Sequence, residues 1–256
     1  PYKESSELFL LNASAGSKPV LVSDELSLLI RRSLHYSQIS EGAFDISFAS
    51  LGRFYDYRQG VKPSEQQAQE LLEAIDYQMI ELQGQQVSYA HRELKIDLGG
   101  IAKGYAVDRA AQLLSEVFGI QHATISAGGD SRVIGDRRGR PWIIGVKDPR
   151  VEDKMALLLP LTDVAVSTSG DYERFFLEGE TRVHHILNPA TGQSAAGIMS
   201  VTVLGDNALD TDPLSTTVFV LGVEKGLLLL NRLSGFDGVI IDKSGKIYYS
   251  AGLSPP

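Results

Sequence analysis

Leu94-Lys95-Ile96-Asp97-Leu98-Gly99-Gly100-Ile101-Ala102-Lys103-Gly104-Tyr105-Ala106-Val107-Asp108 is the stretch from which the rest of the chain can be ordered. Leu94, Ile96 and Leu98 alternate with polar residues, the pattern of a half-buried strand. After the glycine pair, Ile101, Ala102, Tyr105, Ala106, Ala110, Leu113, Leu114 and Val117 recur at helical spacing and predict a long helix. Two glycines at such a turn let the backbone come close to a ligand. They also leave N–H groups free at the positive end of the helix, where a phosphate can sit. Gly99-Gly100-x-x-Lys103-Gly104 matches neither the Rossmann turn nor the Walker loop. Taken alone it reads equally well as an αL connector closed by Asp97, with Lys103 in solvent.

Composition narrows the field. Twenty-four basic against 32 acidic residues give a net charge of −8, which disfavours a nucleic-acid reader. With no cysteine, disulfides, thiolate chemistry and Cys-ligated zinc are excluded. No apolar run approaches the roughly 20 residues of a membrane span.

Outward from the glycine turn, helices are predicted after Asp24 as N-cap, with Leu26, Leu29, Ile30 and Leu34 on one face, and from Pro63-Ser64 through about residue 74. The second carries a Ser-x-x-Gln capping box. Residues 87–89 and 94–98 read as a hairpin feeding the turn. Short strands follow at 123–126, 131–134, 141–146, 155–159, 163–167, 182–187 and 200–204. Helices at 212–221 and 223–232 and a hairpin of 239–242 with 247–250 close the chain. Strands and helices intermingle without a βαβ period, so the fold class is α+β with mainly antiparallel sheet. No linker or repeat interrupts the chain, and one domain over 1–256 is expected.

Two stretches carry chemistry by residue type. Asp212, Ser215 and Thr216 place hard oxygens at i, i+3 and i+4 of a helix, a set that suits Mg²⁺; Asp212-Pro213 also reads as a plain N-cap followed by Pro at N1. His184-His185, on a strand, point to opposite faces and cannot share one metal.

Five motifs occur in order: the opening stretch; Ile125-Ser126-Ala127-Gly128-Gly129-Asp130; Val166-Ser167-Thr168-Ser169-Gly170-Asp171; His184-His185-Ile186-Leu187-Asn188-Pro189; and Asp212-Pro213-Leu214-Ser215-Thr216. Together they closely resemble the ApbE family, the FAD:protein FMN transferases, over nearly the whole chain. The resemblance implies a T-fold-related α+β domain. It also implies Mg²⁺-dependent transfer of FMN from FAD to a Ser or Thr hydroxyl of a partner flavoprotein in a redox complex, with AMP leaving. It places Mg²⁺ on Asp212 and Thr216, with Ser215 beside them and a carbonyl from Gly100. FAD contacts fall on Tyr2, Ala43, Phe44, Asp45, Asp97, Lys103, Gly128, Gly129, Asp130, Ser169 and Leu187. His185 is the candidate for proton transfer and, with Asp212, for catalysis.

This sequence departs from the family pattern at three places. Asn188 stands where Asp is commoner, Pro213 where Ala is usual, and Ser47-Phe48-Ala49-Ser50-Leu51-Gly52-Arg53-Phe54 stands where the family usually has a proline and a tryptophan-glycine pair. The family further implies a periplasmic or cell-envelope location, and attachment to a membrane only through an N-terminal lipid anchor. Because the chain starts at Pro1, a signal segment and a first strand are expected to precede it. An FAD pyrophosphatase, with water as nucleophile, and a flavin-binding module without chemistry are the other readings.

Overall fold

In the computed structural model, which describes residues 3–253, residues 94–98 form no strand and join no ladder. Leu94, Ile96 and Leu98 are buried as their alternation predicts. Their peptide groups are satisfied by side chains and loops. Asn12 Nδ2 donates to Ile96 O at 2.8 Å, and Ile96 N–H donates to Asn12 Oδ1 at 2.9 Å. Lys95 N–H donates to Ser50 Oγ at 3.0 Å, and Asp97 N–H to Ile46 O at 3.0 Å. The expected hairpin is therefore corrected: Gln86–Tyr89 pairs instead with Ile80–Gln83 and Val20–Leu21, all antiparallel. Alternation records which side chains are buried, and it is silent on which group accepts each N–H.

The chain forms two compact units, Pro1–Gly99 with Arg174–Ala195, and Gly100–Glu173 with Ala196–Pro256. In the first, helix Glu7–Ser14 precedes the amphipathic helix Asp24–Ile39. Ser23, not Asp24, is the latter's N-cap, accepting from Leu26 N–H at 3.2 Å. Ser64 caps Glu65–Leu72 as its box predicts, accepting from Gln67 N–H at 3.2 Å. The hairpin Phe175–Glu178 with Thr181–His184 completes this unit; its first strand adds to those that spacing predicts.

The second unit holds a six-stranded antiparallel sheet. Its order is Ile247–Tyr249, Asp237–Asp242, Ile198–Gly205, Ala165–Gly170, Asp130–Ile134, Ala123–Ala127. All eight residues of Ile198–Gly205 are buried, which makes it the sheet's core strand. A separate hairpin pairs Trp142–Lys147 with Met155–Leu161. Helix Ala102–Glu116 packs on the last two strands of the sheet, and helix Ala208–Arg232 lies beside it on the next three.

The long helix begins four residues earlier than expected. Asn207 is the N-cap and accepts from Asp210 N–H at 2.9 Å. Asp108 of the neighbouring helix accepts from Ala208 N–H at 2.9 Å and Leu209 N–H at 2.7 Å, a carboxylate seated on the positive helix end. Asp212 is thus inside the helix and does not cap it. Pro213 lies in its second turn, where its missing N–H removes the bond to Leu209 O. The predicted break between the two closing helices exists at Gly222, with φ 80° and ψ −177°. At 25 residues this helix is long and apolar enough to cross a membrane by length and composition. It is also broken at Gly222 and buries Asp210, Thr211, Asp212, Ser215 and Thr217, the character of a core helix.

Candidate active site

Ile101, at the N-cap position of helix Ala102–Glu116, offers no side-chain acceptor of its own to the first turn. From this turn the Lys103 ammonium reaches two carboxylates, Asp130 Oδ2 at 2.7 Å and Asp212 Oδ1 at 2.8 Å. The second Asp212 oxygen accepts the Gly104 N–H at 3.0 Å. That bond needs the two helices to touch. A Cβ on Gly104 would collide with the Ala208 carbonyl, so only glycine fits there.

Asp130 closes a two-residue hairpin from Ala123–Ala127, whose turn residues Gly128 and Gly129 have φ 56° and 97°, as a type I′ turn requires. Gly128 lies against the Lys103 stem: a Cβ there would stand 3.1 Å from Lys103 Cδ. On the other side, strand Ala165–Gly170 meets the long helix through hydroxyls. Ser169 Oγ is 2.8 Å from Ser215 Oγ and 3.2 Å from Thr216 Oγ1, and Ser215 Oγ donates to Asp212 O at 2.8 Å. Lys103, Gly104, Gly128, Asp130, Ser169, Asp212, Ser215 and Thr216 therefore form one connected cluster, with Gly100 in the turn that opens the helix.

Electrostatics single out Asp212. Burial pushes its carboxyl up to about 6, Lys103 pulling it down and Asp130 pushing it further up. Asp130 is raised for the same first reason, its burial outweighing Lys103. Burial draws the Lys103 ammonium down, but the two carboxylates outweigh it and hold the group above its ordinary value. One cation faces two buried anions.

The remaining candidates lie in the first unit, apart from Tyr2, which is outside the described residues. Asp97 Oδ1 accepts Gly99 N–H at 2.6 Å and so closes the glycine turn. Phe44 is buried and Ala43 half-buried. Asp45 caps the turn Ile46–Phe48: Oδ1 accepts from Ser47 N–H at 2.8 Å and Ser47 Oγ at 2.6 Å, and Oδ2 from Tyr77 N–H at 2.8 Å. Its burial outweighs those bonds and pushes the carboxyl up to about 6. A folded-state value above the unfolded 3.8 means stability present below pH 4 and lost as pH rises through 6. Asp45→Asn should therefore flatten the pH dependence of stability between 4 and 6, by on the order of 2–3 kcal/mol. Urea titrations at pH 4 and pH 7 check this, and an identical slope in both proteins contradicts it.

His184 is buried, with Nε2 2.9 Å from Ala195 O. His185 is half-buried and meets Tyr57 edge-on at 6.5 Å between centroids, within an aromatic group that includes Tyr55 and Phe176. Leu187 is core, bridged to Ser194. Asn188 accepts from Ala190 N–H at 3.0 Å and folds its own turn, a neutral task that Asn performs as well as Asp. No spacing signals Asp108 on the helix end, nor the Arg150–Asp171 pair at 2.7 and 2.6 Å just after the Ser-Thr-Ser run.

One lysine therefore lies between two buried carboxylates at the start of a helix, beside a glycine hairpin. Comparison with known proteins carries the assignment further. The ApbE family profile matches residues 1–240. A FAD:protein FMN transferase of Treponema pallidum is 32% identical over 98% of this chain and 75% of its own length. One from Vibrio cholerae is 31% identical over 99% and 78%. Among solved structures, the ApbE protein of Thermotoga maritima superposes with TM-score 0.89 at 35% identity, covering 97% of this chain and 82% of that one. The flavin transferase ApbE of Vibrio cholerae gives 0.86 at 28%, covering 98% and 82%. The chain belongs to the ApbE family, and with it to the transferases.

Proposed function

We infer that the chain takes FAD as donor, splits its pyrophosphate and leaves FMN on a Ser or Thr hydroxyl of a partner protein. The observation that carries this is the charge balance at Lys103, where a single ammonium faces Asp130 and Asp212, both nearly inaccessible to solvent. Such a cluster favours a further cation. The donors joined to it are hard oxygens: the Asp212 carboxylate and the hydroxyls of Ser215 and Thr216, with the Gly100 carbonyl in the same unit. Among the described residues no group of three His, Cys, Asp or Glu calls for a softer metal. This set fits Mg²⁺, which uses few protein oxygens alongside water and substrate phosphate. Asp212, Thr216 and Gly100 would hold it, and when bound it would neutralise charge on phosphoryl oxygens.

The chain's own groups supply the rest. Lys103 offers a fixed positive charge to the pyrophosphate, and the first turn of its helix, apart from the Gly104 N–H that Asp212 accepts, adds N–H donors. Gly128 and Gly129 leave room for a close approach. In the transfer, the acceptor oxygen bonds to the FMN phosphorus while the bond from that phosphorus to the AMP oxygen breaks. The hydroxyl proton passes to a base and AMP leaves as the anion.

The family resemblance gives the proton to His185. His185→Ala is expected to slow turnover by roughly 10²–10⁴-fold with FAD affinity unchanged. Titration calorimetry with FAD, run beside single-turnover AMP release, separates the two quantities; lost affinity at a normal rate would make His185 a pocket residue. The overall reading is tested by mass spectrometry of Ser- and Thr-containing peptides after incubation with FAD and Mg²⁺. FMN joined to peptide is expected, and FMN found only free with AMP would assign the chain as a hydrolase.

A further inference from the structure

The six-stranded sheet has two unequal edges. One ends in Ile247–Tyr249, a three-residue strand whose Tyr248 hydroxyl is tied to Asp242 at 3.0 Å and whose ring is covered by Lys246. Short strands and lysines are the usual means of blunting an edge. The other edge, Ala123–Ala127, has none of them. Its sequence Ala-Thr-Ile-Ser-Ala carries no charge and no proline, its five-pair register with Asp130–Ile134 is unbroken, and Thr124, Ser126 and Ala127 are exposed.

Which backbone groups are open follows from the turn. In a two-residue hairpin the closing pair, Ala127 with Asp130, exchanges hydrogen bonds, and so do the pairs two residues back, Ile125 with Arg132 and Ala123 with Ile134. The N–H and C=O of Thr124 and Ser126 therefore point away from the hairpin. Ser126 keeps its side chain on the hairpin, with Oγ 2.7 Å from Ser131 Oγ, so its outward backbone is unobstructed by its own hydroxyl. Ile125 packs inward against Val107, Ala165 and Ala208. The helix over this edge exposes Leu113 and Val117, at 52% and 66%. The strand then runs directly into Gly128, against the Lys103 stem, and Asp130, on the Lys103 ammonium.

We propose that this edge is the docking track for the acceptor. An extended Ser- or Thr-bearing segment of the partner protein pairs as an added strand with Thr124 and Ser126, which leads its hydroxyl to the Lys103–Asp130–Asp212 cluster. The proposal rests on the reading that FMN is transferred to a protein. It fits the chemistry of that reading, because main-chain pairing holds a segment by its backbone and leaves one side chain free to react. An edge continuous with the phosphoryl site favours a substrate strand over a second copy of this chain, whose pairing here would cover the approach to Gly128.

The test uses a library of 12-residue peptides, each with one central Thr and varied flanks, incubated with FAD and Mg²⁺ and read for attached FMN. Thr124→Pro removes an outward N–H that the sheet does not use, a substitution edge strands accept. It should lower labelling at limiting peptide by about tenfold or more, with FAD binding unchanged, while Thr124→Ala labels as the unsubstituted protein does. A second arm keeps the protein unsubstituted and methylates alternate backbone nitrogens of the peptides, which should abolish labelling in one of the two phases only. Labelling undiminished by Thr124→Pro and by methylation in either phase overturns the docking track alone. No labelled peptide from the unsubstituted protein overturns the transfer reading and the track together.

Discussion

Lys103→Met is expected to be the most destabilising single substitution in the site, by about 3 kcal/mol at pH 8. Removing the ammonium leaves Asp130 and Asp212, with side chains 2% and 3% exposed, facing each other without a counter-charge. Breaking a buried pair typically costs about 3–5 kcal/mol; the lower end applies here because the lysine itself is partly open to solvent. The loss should shrink in acid, since protonated carboxyls no longer repel. Urea unfolding of both proteins at pH 5 and pH 8 measures it. A deficit below about 1 kcal/mol, or one equal at both pH values, would mean that the cluster is solvated and its charges uncoupled.

Asp212→Asn separates chemistry from folding. The amide keeps the size of the carboxylate and can still accept the Gly104 N–H, and Lys103 retains Asp130, so the fold should survive with a modest loss. AMP release from FAD should fall on the order of 10³-fold, because the position most suited to a hard cation becomes neutral. Mg²⁺ should raise the melting temperature of the unsubstituted protein and leave that of the variant unmoved. In the unsubstituted protein, activity should rise with pH as the Asp212 carboxyl, held at about 6 by burial, ionises. Mg²⁺, which favours the ionised form, should shift that rise to lower pH. Unchanged AMP release by Asp212→Asn at saturating Mg²⁺ would remove Asp212 from the metal site.

What could be read ahead of the structure was local. The glycine turn, the helix after it and the Gly128–Gly129 hairpin are each announced by spacing within a dozen residues, and all three are present. Alternation over residues 94–98 tells which side chains are buried, yet the partner of Ile96 is an asparagine side chain 84 residues away, for which no periodicity exists. Asp212-Pro213 imitates a helix start and masks the true cap, although Asn207 followed by Asp210 also signals one. The arrangement that matters most, one lysine between two aspartates, joins residues 27 and 109 positions away from Lys103. Resemblance to a family put those residues in one site; only folding gives the imbalance of charge between them.

Single-turnover cleavage of FAD by the unsubstituted chain, with a Thr-bearing acceptor peptide present and Mg²⁺ titrated from zero, tests the central claim most directly. AMP should appear in proportion to FAD consumed, only with the metal present, and removal of the metal by a chelator should stop it. FAD left intact at every Mg²⁺ concentration, or AMP formed equally without metal, would contradict phosphoryl transfer at the Lys103–Asp130–Asp212 cluster.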